Sequence, residues 1–188
     1  MSKKKKKKNK IVPTRWRDKR GKISFFAERT IEWDRSSNSV LMIDQSLLPT
    51  RFSRIRCSSV EELVEAIKTM KIRGAPAIGV AGAMGVALAA VKSKANTRNE
   101  LLSSIKKDCE RIRYARPTAV NLSWGVDQAL GFIRKELPEK LDAHSVPRLI
   151  NFAEELAEED VRNNIKLSDA GEKLFRDGDI VLTHCKWV

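Results

Sequence analysis

The stretch "IRGAPAIGVAGAMGVALAAV", Ile72–Val91, decides how this chain folds, because it carries no charge after Arg73. Three interpretations fit it: a membrane span, a buried helix, or a helix whose N-terminus holds an anion. A span needs about twenty strongly apolar residues, whereas the uncharged run after Arg73 has only eighteen, contains four glycines and an early proline, and relies on weakly hydrophobic alanine. We therefore favour a buried helix. Gly79, Gly82 and Gly85 recur at every third position and predict a smooth stripe that another backbone can approach closely.

The start of this helix has the features of an anion site. Pro76 is expected as the first helical residue, because a missing N–H costs nothing there. Arg73, Gly74 and Ala75 then lie at the positive end of the helix, where N–H groups lack partners within the helix. Such an end binds phosphate, and Arg73 adds a charged fork beside it. A plain surface arginine next to a core helix remains the alternative.

A second stretch repeats this arrangement. In "ARPTAVNLSWG", Ala115–Gly125, Arg116 directly precedes Pro117, which is again expected as a first helical residue. Two arginines beside two proline-initiated helix starts predict a shared site for one phosphorylated ligand. Each arginine is also compatible with an ordinary surface position.

Hydrophobic periodicity elsewhere predicts an α+β fold, in which a small antiparallel N-terminal meander precedes a helical bundle. Strands are expected at "RTIEW", "VLMID" and "RIRC", which begin at Arg29, Val40 and Arg54. Helices are expected after the capping residues Ser59 and Thr97, from Pro117, near Pro147, and in a short segment capped by Ser168. The first of these helices is expected to bury Val60, Leu63, Val64, Ile67 and Met70.

The last segment of the chain is predicted to be a buried strand and not another helix. "IVLTHC", Ile180–Cys185, is a continuous apolar run after an Asp-Gly turn, which is typical of the first buried strand of a parallel sheet. We expect the remainder of that sheet to be missing from the chain. Cys185 lies at the carboxyl end of this strand, where ligands collect in open parallel sheets, although lone cysteines are more often core residues. His184 is expected to face the opposite side of the strand, so a Cys-His pair is not expected.

The charge is concentrated at the N-terminus. Of the net charge of +13, residues 1–22 carry +11, from twelve basic residues against Asp18. We expect this tail to be disordered and either solvated or, through its lysines, attracted to nucleic acid or a membrane surface. The predicted domains are thus the tail at 1–22, a mixed α+β domain at 23–178, and the first strand of a second domain at 179–188.

The cysteines indicate the compartment. Three widely spaced cysteines without a CxxC pair are typical of free thiols in a reducing cytosol, and they predict neither a disulfide framework nor a metal site. No apolar segment of signal-peptide length follows the basic tail directly. We therefore expect a cytoplasmic protein.

From about Arg29 to Cys185 the sequence resembles the methylthioribose-1-phosphate isomerase family. The resemblance is carried by "RTIEW", "DQSLLP", "VEELVEAIKTMKIRGAPAIGVAGAMGVALA", "RPTAVNLSWGVDQ", "AEELAEEDVRNN" and "GDIVLTHC". The wider superfamily also contains ribose-1,5-bisphosphate isomerase and the regulatory subunits of the translation initiation factor that exchanges guanine nucleotide. "RTIEW" and the intact "RPTAVN" favour the methylthioribose enzyme.

The resemblance implies a cofactor-free conversion of 5-methylthioribose 1-phosphate to the ribulose 1-phosphate in methionine salvage. It implies substrate binding by Arg73, Gly74, Ala75 and Arg116, assistance at the reacting carbons by Cys185, and a homodimer in the full-length family. After "THC" the family continues with Asn-Ala-Gly and a second domain that supplies a catalytic aspartate, whereas this chain reads "KWV". We therefore expect a truncated member that is inactive by itself. The alternatives are a non-catalytic regulatory subunit, a ribose-1,5-bisphosphate isomerase, and a nucleic-acid-binding protein that acts through its lysine tail.

Overall fold

The computed structural model describes residues 29–180 and 182. They form three strands, β1 (Ile31–Asp34), β2 (Ser39–Ile43) and β3 (Arg54–Cys57), and five helices, α1 (Val60–Lys68), α2 (Ala75–Lys92), α3 (Arg98–Arg113), α4 (Val120–Glu136) and α5 (Ser145–Glu172). A short 3-10 helix, Gln45–Leu47, follows β2. The predicted α+β class, with a small sheet followed by a helical bundle, is confirmed for this part of the chain.

The three strands form the predicted antiparallel meander in the order β1-β2-β3. Ile31 and Trp33 are buried while Glu32 and Asp34 alternate with them at partly exposed positions. This alternation follows from the two-residue repeat of a strand, which directs one set of side chains to the core. Cys57, opposite Val40, completes the buried face.

Helix α2 lies in the middle of the domain and contacts all four other helices. Every residue from Ile78 to Ala90 is buried, which confirms the buried-helix interpretation. Among the described residues, α2 is the one helix long and apolar enough to cross a membrane, but 72% of that window is buried inside the protein. Its position is that of a central core helix.

The predicted glycine stripe meets α4. A Cβ atom built on Gly82 would lie 2.6 Å from the carbonyl oxygen of Leu122, and one built on Gly125 would lie 1.9 Å from that of Gly79. The two backbones are therefore in direct contact, and neither position has room for a methyl group. At Gly85 the neighbours are instead side chains of α1 and α3.

Two helix starts follow the sequence signals. Thr97 and Glu100 form a complete reciprocal capping box at the start of α3. At the start of α1, the Ser59 hydroxyl accepts from the Glu62 N–H, and the Glu62 carboxylate accepts from the Ser58 N–H. These bonds satisfy backbone donors that have no acceptor within the helix.

The end of α1 differs from the prediction for Met70. This residue is exposed and adopts a left-handed φ of 62° beyond the helix. The Met70 N–H donates to Ile67 O at 3.3 Å and the Lys71 N–H donates to Ala66 O at 2.9 Å. These two bonds make a Schellman turn, which ends the helix before Met70 can join its buried face.

Three predicted boundaries are also wrong. Helix α2 begins at Ala75, so Pro76 is its second residue. Helix α4 begins at Val120, because Arg116 and Pro117 belong to a turn closed by Ala119 N–H donating to Arg116 O at 2.9 Å. Helix α5 continues through Ser168 to Glu172, so no separate short helix exists there.

The predicted strand Ile180–Cys185 falls largely outside the described residues. Ile180 and Leu182 are exposed and have no strand assignment. The basic tail at 1–22 and the beginning of the predicted domain at 23–178 also lie outside them. The predicted domain boundaries and the second domain therefore stay predictions.

Candidate functional site

A cleft of about 390 Å³ opens between the N-terminus of α2 and the turn that precedes α4. Its lining combines two arginines, polar groups and apolar side chains, contributed by Met70, Arg73, Gly74, Ala75, Ile78, Arg116, Thr118, Ala119, Val120 and Asn121. The four described residues predicted to bind substrate, Arg73, Gly74, Ala75 and Arg116, thus all lie at one cleft. Their role in binding is a prediction that this geometry makes possible.

The α2 side of the cleft is an uncapped helix end. Gly74 is the N-cap residue with a φ of 87°, and no side chain caps the helix. The first backbone bond of the helix runs from Ile78 N–H to Gly74 O at 3.0 Å. Pro76 has no N–H, and by helix geometry the N–H groups of Ala75 and Ala77 have no acceptor within the helix. These donors and the helix dipole favour an anion at this end.

Arg73 is fixed just before this helix end. Its N–H donates to Gln45 Oε1 at 2.6 Å, and its Nε donates to the Met70 carbonyl at 3.1 Å. In return, the Gln45 N–H donates to the Lys71 carbonyl at 2.8 Å. Sequence reasoning missed Gln45 as part of this site, although it lies in the "DQSLLP" segment that contributes to the family resemblance.

Arg116 forms the opposite wall. Its Nη1 atom is buried and has no hydrogen-bond partner among the described residues. Within that part of the chain, neither Arg73 nor Arg116 forms an ion pair with a carboxylate. The cleft therefore contains two cationic side chains whose charge no described acid neutralises.

Several arginines outside the cleft do form ion pairs. Arg111 pairs with Glu61, and Arg113 pairs with Asp127 at 2.5 Å. The hydrogen bond from Arg113 lowers the pKa of Asp127, and the one from Arg111 lowers the pKa of Glu61. These pairs link neighbouring elements, whereas the cleft arginines are left available for a ligand.

Thr118 and Asn121 are further polar lining residues that the sequence did not single out. They lie in the matched segment "RPTAVN", so that motif was the available signal. A hydroxyl and an amide can donate to or accept from the oxygens of a sugar. Together with two guanidinium groups, they suit a small anionic ligand that also carries hydroxyl groups.

The cysteines give no nucleophile in the described part of the protein. Burial raises the pKa of Cys57 to about 11 and that of Cys109 to about 12. Buried neutral thiols of this kind are inert. Cys185, the predicted catalytic residue, lies outside the described residues, which also contain no group of three or more His, Cys, Asp or Glu suited to a metal ion.

The fold and the cleft together define an α+β domain with a cationic pocket at a helix N-terminus. Its sequence matches the initiation factor 2 subunit family over residues 71–187. The chain therefore belongs to this family.

Individual relatives agree with this placement. A Methanosarcina acetivorans protein, provisionally named methylthioribose-1-phosphate isomerase, is 42% identical over 158 residues, which is 84% of this chain and 44% of that protein. The crystal structure of 5-methylthioribose 1-phosphate isomerase from Pyrococcus horikoshii superposes with a TM-score of 0.72 at 39% identity, covering 80% of this chain and 41% of that one.

A second solved structure carries a different name. The crystal structure of the translation initiation factor eIF-2B, subunit delta, from A. fulgidus superposes with a TM-score of 0.68 at 41% identity, covering 80% of this chain and 43% of that one. The chain spans less than half the length of these relatives.

Proposed function

We propose that the cleft binds the phosphate of a sugar phosphate, as part of an isomerase that converts 5-methylthioribose 1-phosphate to 5-methylthioribulose 1-phosphate in methionine salvage. One observation carries the proposal: Arg116 Nη1 is buried without an acceptor among the described residues and lines the same cleft as Arg73. A buried charged nitrogen without a partner is costly. Phosphate oxygens would supply the missing acceptors.

Each cleft residue has a distinct role in this proposal. Arg73 and Arg116 bind the phosphate through charge-assisted hydrogen bonds, and the Ala75 N–H at the helix end adds a backbone donor. Gly74 keeps this end free of a side chain, so the anion can approach the backbone. The site thereby holds the sugar at its phosphorylated end.

The chemistry places further demands on the complete enzyme. The anomeric oxygen of the substrate carries the phosphate, so its ring cannot simply open as that of a free sugar does. A general acid and a dry pocket are needed. We assign to Cys185 an assisting role at the reacting carbons, without a cofactor or metal ion.

We further propose that Ile180–Cys185 forms the first strand of a Rossmann-like domain that supplies the catalytic aspartate and the contacts of a homodimer. The greater length of the relatives supports this part of the proposal. On this view residues 29–180 bind the sugar phosphate, turnover also requires residues of the proposed second domain, and the protein works in the cytoplasm. The lysine tail would be the one route to nucleic acid.

A second candidate is a non-catalytic regulatory subunit. The similarity to subunit delta of eIF-2B favours it. In that case the helical surface would contact other proteins, and sugar phosphates would bind weakly or not at all.

Calorimetric titration separates the two candidates. The 188-residue chain is titrated with 5-methylthioribose 1-phosphate and with inorganic phosphate. For the isomerase we expect saturable binding of both, and a weakening of roughly tenfold to a hundredfold in Arg73→Ala and in Arg116→Ala, since each removes a charge-assisted hydrogen bond.

Arg162→Ala is the matched control, because Arg162 pairs with Glu155 on the exposed side of α5. It should bind like the wild type. Absence of binding by the wild-type chain, or equal weakening in the control, would refute the proposed anion site and favour the regulatory subunit.

A further inference from the structure

Gln45 lies at a fixed point between the sheet and the cleft. It begins the short 3-10 helix after β2, where the Asp44 side chain accepts from the Ser46 N–H at 3.1 Å. The Asp44 N–H donates to the Ser53 carbonyl at 2.9 Å. The two residues that flank Gln45 are therefore held by hydrogen bonds, Ser46 to Asp44 and Asp44 to Ser53.

From this position Gln45 makes two bonds to the segment that leads into α2. Its N–H donates to the Lys71 carbonyl at 2.8 Å, and its Oε1 accepts from the Arg73 N–H at 2.6 Å. Between these two contacts lies Ile72, which is fully buried. One glutamine thus holds both sides of a residue that is anchored in the core.

We call these two hydrogen bonds of Gln45, to Lys71 and to Arg73, the clasp. The clasp ends immediately before Gly74, whose backbone has a positive φ. Arg73 is followed by Gly74 with a φ of 87°, and α2 starts at the next residue. Gln45 itself is not among the lining residues of the cleft. Any effect it has on a ligand must therefore pass through the Arg73 backbone.

We propose that Gln45 is a positioning residue of the anion site, which orients the Ile72–Arg73 peptide and thereby the start of the Arg73 side chain and the backbone that leads through Gly74 to the Ala75 N–H. The binding of an anion in this inference rests on the proposed function, whereas the two hydrogen bonds of Gln45 are observed independently of it. In water, an unpaired Arg73 N–H would allow several orientations of this peptide. With Gln45 Oε1 as its acceptor, one orientation is favoured before any ligand arrives.

Three variants test this role. Gln45→Met keeps the length of the side chain but has no acceptor for the Arg73 N–H. Gln45→Glu retains an acceptor oxygen at that place. Gln128→Met is the matched control, because Gln128 is exposed on α4 at a distance along the chain from the clasp.

Two measurements are made on the full chain. Hydrogen exchange of the Arg73 amide reports the clasp without any ligand, and calorimetry with inorganic phosphate reports the anion site. We expect Gln45→Met to lose protection at Arg73 and to bind phosphate roughly threefold to tenfold more weakly, with protection in α3 unchanged. Gln45→Glu should restore the protection at Arg73, and Gln128→Met should behave like the wild type.

The outcomes are distinct. If Gln45→Met binds phosphate like the wild type, or leaves Arg73 protected, the positioning role is wrong. Loss of protection throughout the molecule would also contradict it, because it would indicate general destabilisation. If the wild-type chain binds no phosphate, the proposed function fails. The hydrogen-exchange data then still decide whether Gln45 fixes the backbone at Arg73.

Discussion

Among single residues, Met70 occupies the least favourable backbone position near the cleft. Its φ of 62° lies in the left-handed region, which residues other than glycine adopt only at a cost in free energy. Met70 is 40% exposed and is not part of the core cluster, so it contributes less buried apolar surface than a core methionine does. The strain is maintained by the Schellman bonds of Met70 and Lys71.

We expect Met70→Gly to raise the free energy of unfolding by about 1 kcal/mol, because glycine adopts this φ without a steric penalty. Urea denaturation measures the change. Met70→Ala removes the same side chain but keeps the strained backbone, so it should not gain stability. A glycine variant no more stable than the alanine variant would contradict the strain argument.

At the residue level, the sequence singled out Arg73 and Gly74 because a charge and a flexible residue directly precede an apolar run. Both residues line the cleft, and their role in binding stays a prediction. Gln45 was missed because its two bonds reach residues 26 and 28 positions further along the chain. No local pattern encodes such a contact.

At the level of elements, the glycine spacing in α2 predicted a close backbone neighbour but not its identity. The neighbour is α4, and its own glycine, Gly125, faces Gly79. This pairing is a tertiary contact, so periodicity within either helix cannot reveal it. The start of α4 was misplaced for a related reason: proline is as suitable in a turn as in the first helical turn, and here Arg116 and Pro117 form a turn.

Two glycines of α4 provide a matched pair for testing this packing. Gly125→Ala would place a methyl group against the Gly79 carbonyl, whereas a Cβ on Gly131 would meet no atom within 4 Å. We expect Gly125→Ala to lower the free energy of unfolding by about 3 kcal/mol or more. Gly131→Ala should raise it by about 0.5–1 kcal/mol through helix propensity.

Thermal or urea unfolding of the two variants, followed by circular dichroism, measures these changes. Both substitutions lie in the same helix and add the same methyl group, so propensity alone predicts equal effects. Equal effects would therefore show that the two backbones are not in contact.

For the whole molecule, the periodicity of hydrophobic residues predicted most of the core. It did so because each strand and helix packs the apolar face that this periodicity marks against its neighbours. It could not predict the ion pairs that join distant elements, such as Arg29 on the N-terminal side with Glu158 on α5 at 2.6 Å. Charged residues are compatible with any exposed position. Their partners are known only after the elements are packed.

Four carboxyl groups with lowered pKa values make the stability of the whole molecule depend on pH in the acidic range. The pKa values of Asp34, Glu61, Asp127 and Asp142 are all lowered. For Asp34 the main causes are hydrogen bonds from Ser36 and then from Arg56. The main cause is a hydrogen bond from Arg111 for Glu61, from Arg113 for Asp127, and from Ser145 for Asp142.

Because each folded-state pKa is depressed, the stabilisation is complete above the ordinary values of 3.8 for Asp and 4.5 for Glu, and it is lost as pH falls through the lowered values. We expect the urea midpoint to be constant between about pH 5 and 7 and to decrease steadily below about pH 4. Asp34→Asn should make that decrease shallower. A wild-type midpoint that is unchanged down to about pH 2.5 would contradict this assignment.

The direct contact of α2 with α4 has a consequence for recognition. Arg73 precedes one of these helices and Arg116 precedes the other, and the helices touch through main-chain atoms of Gly79 and Gly125. The contact thus fixes the span between the two backbone segments from which the arginine side chains extend. If the cleft binds an anion as proposed, we expect this fixed span to favour a small anion over a larger one by shape alone, before any catalytic group is involved.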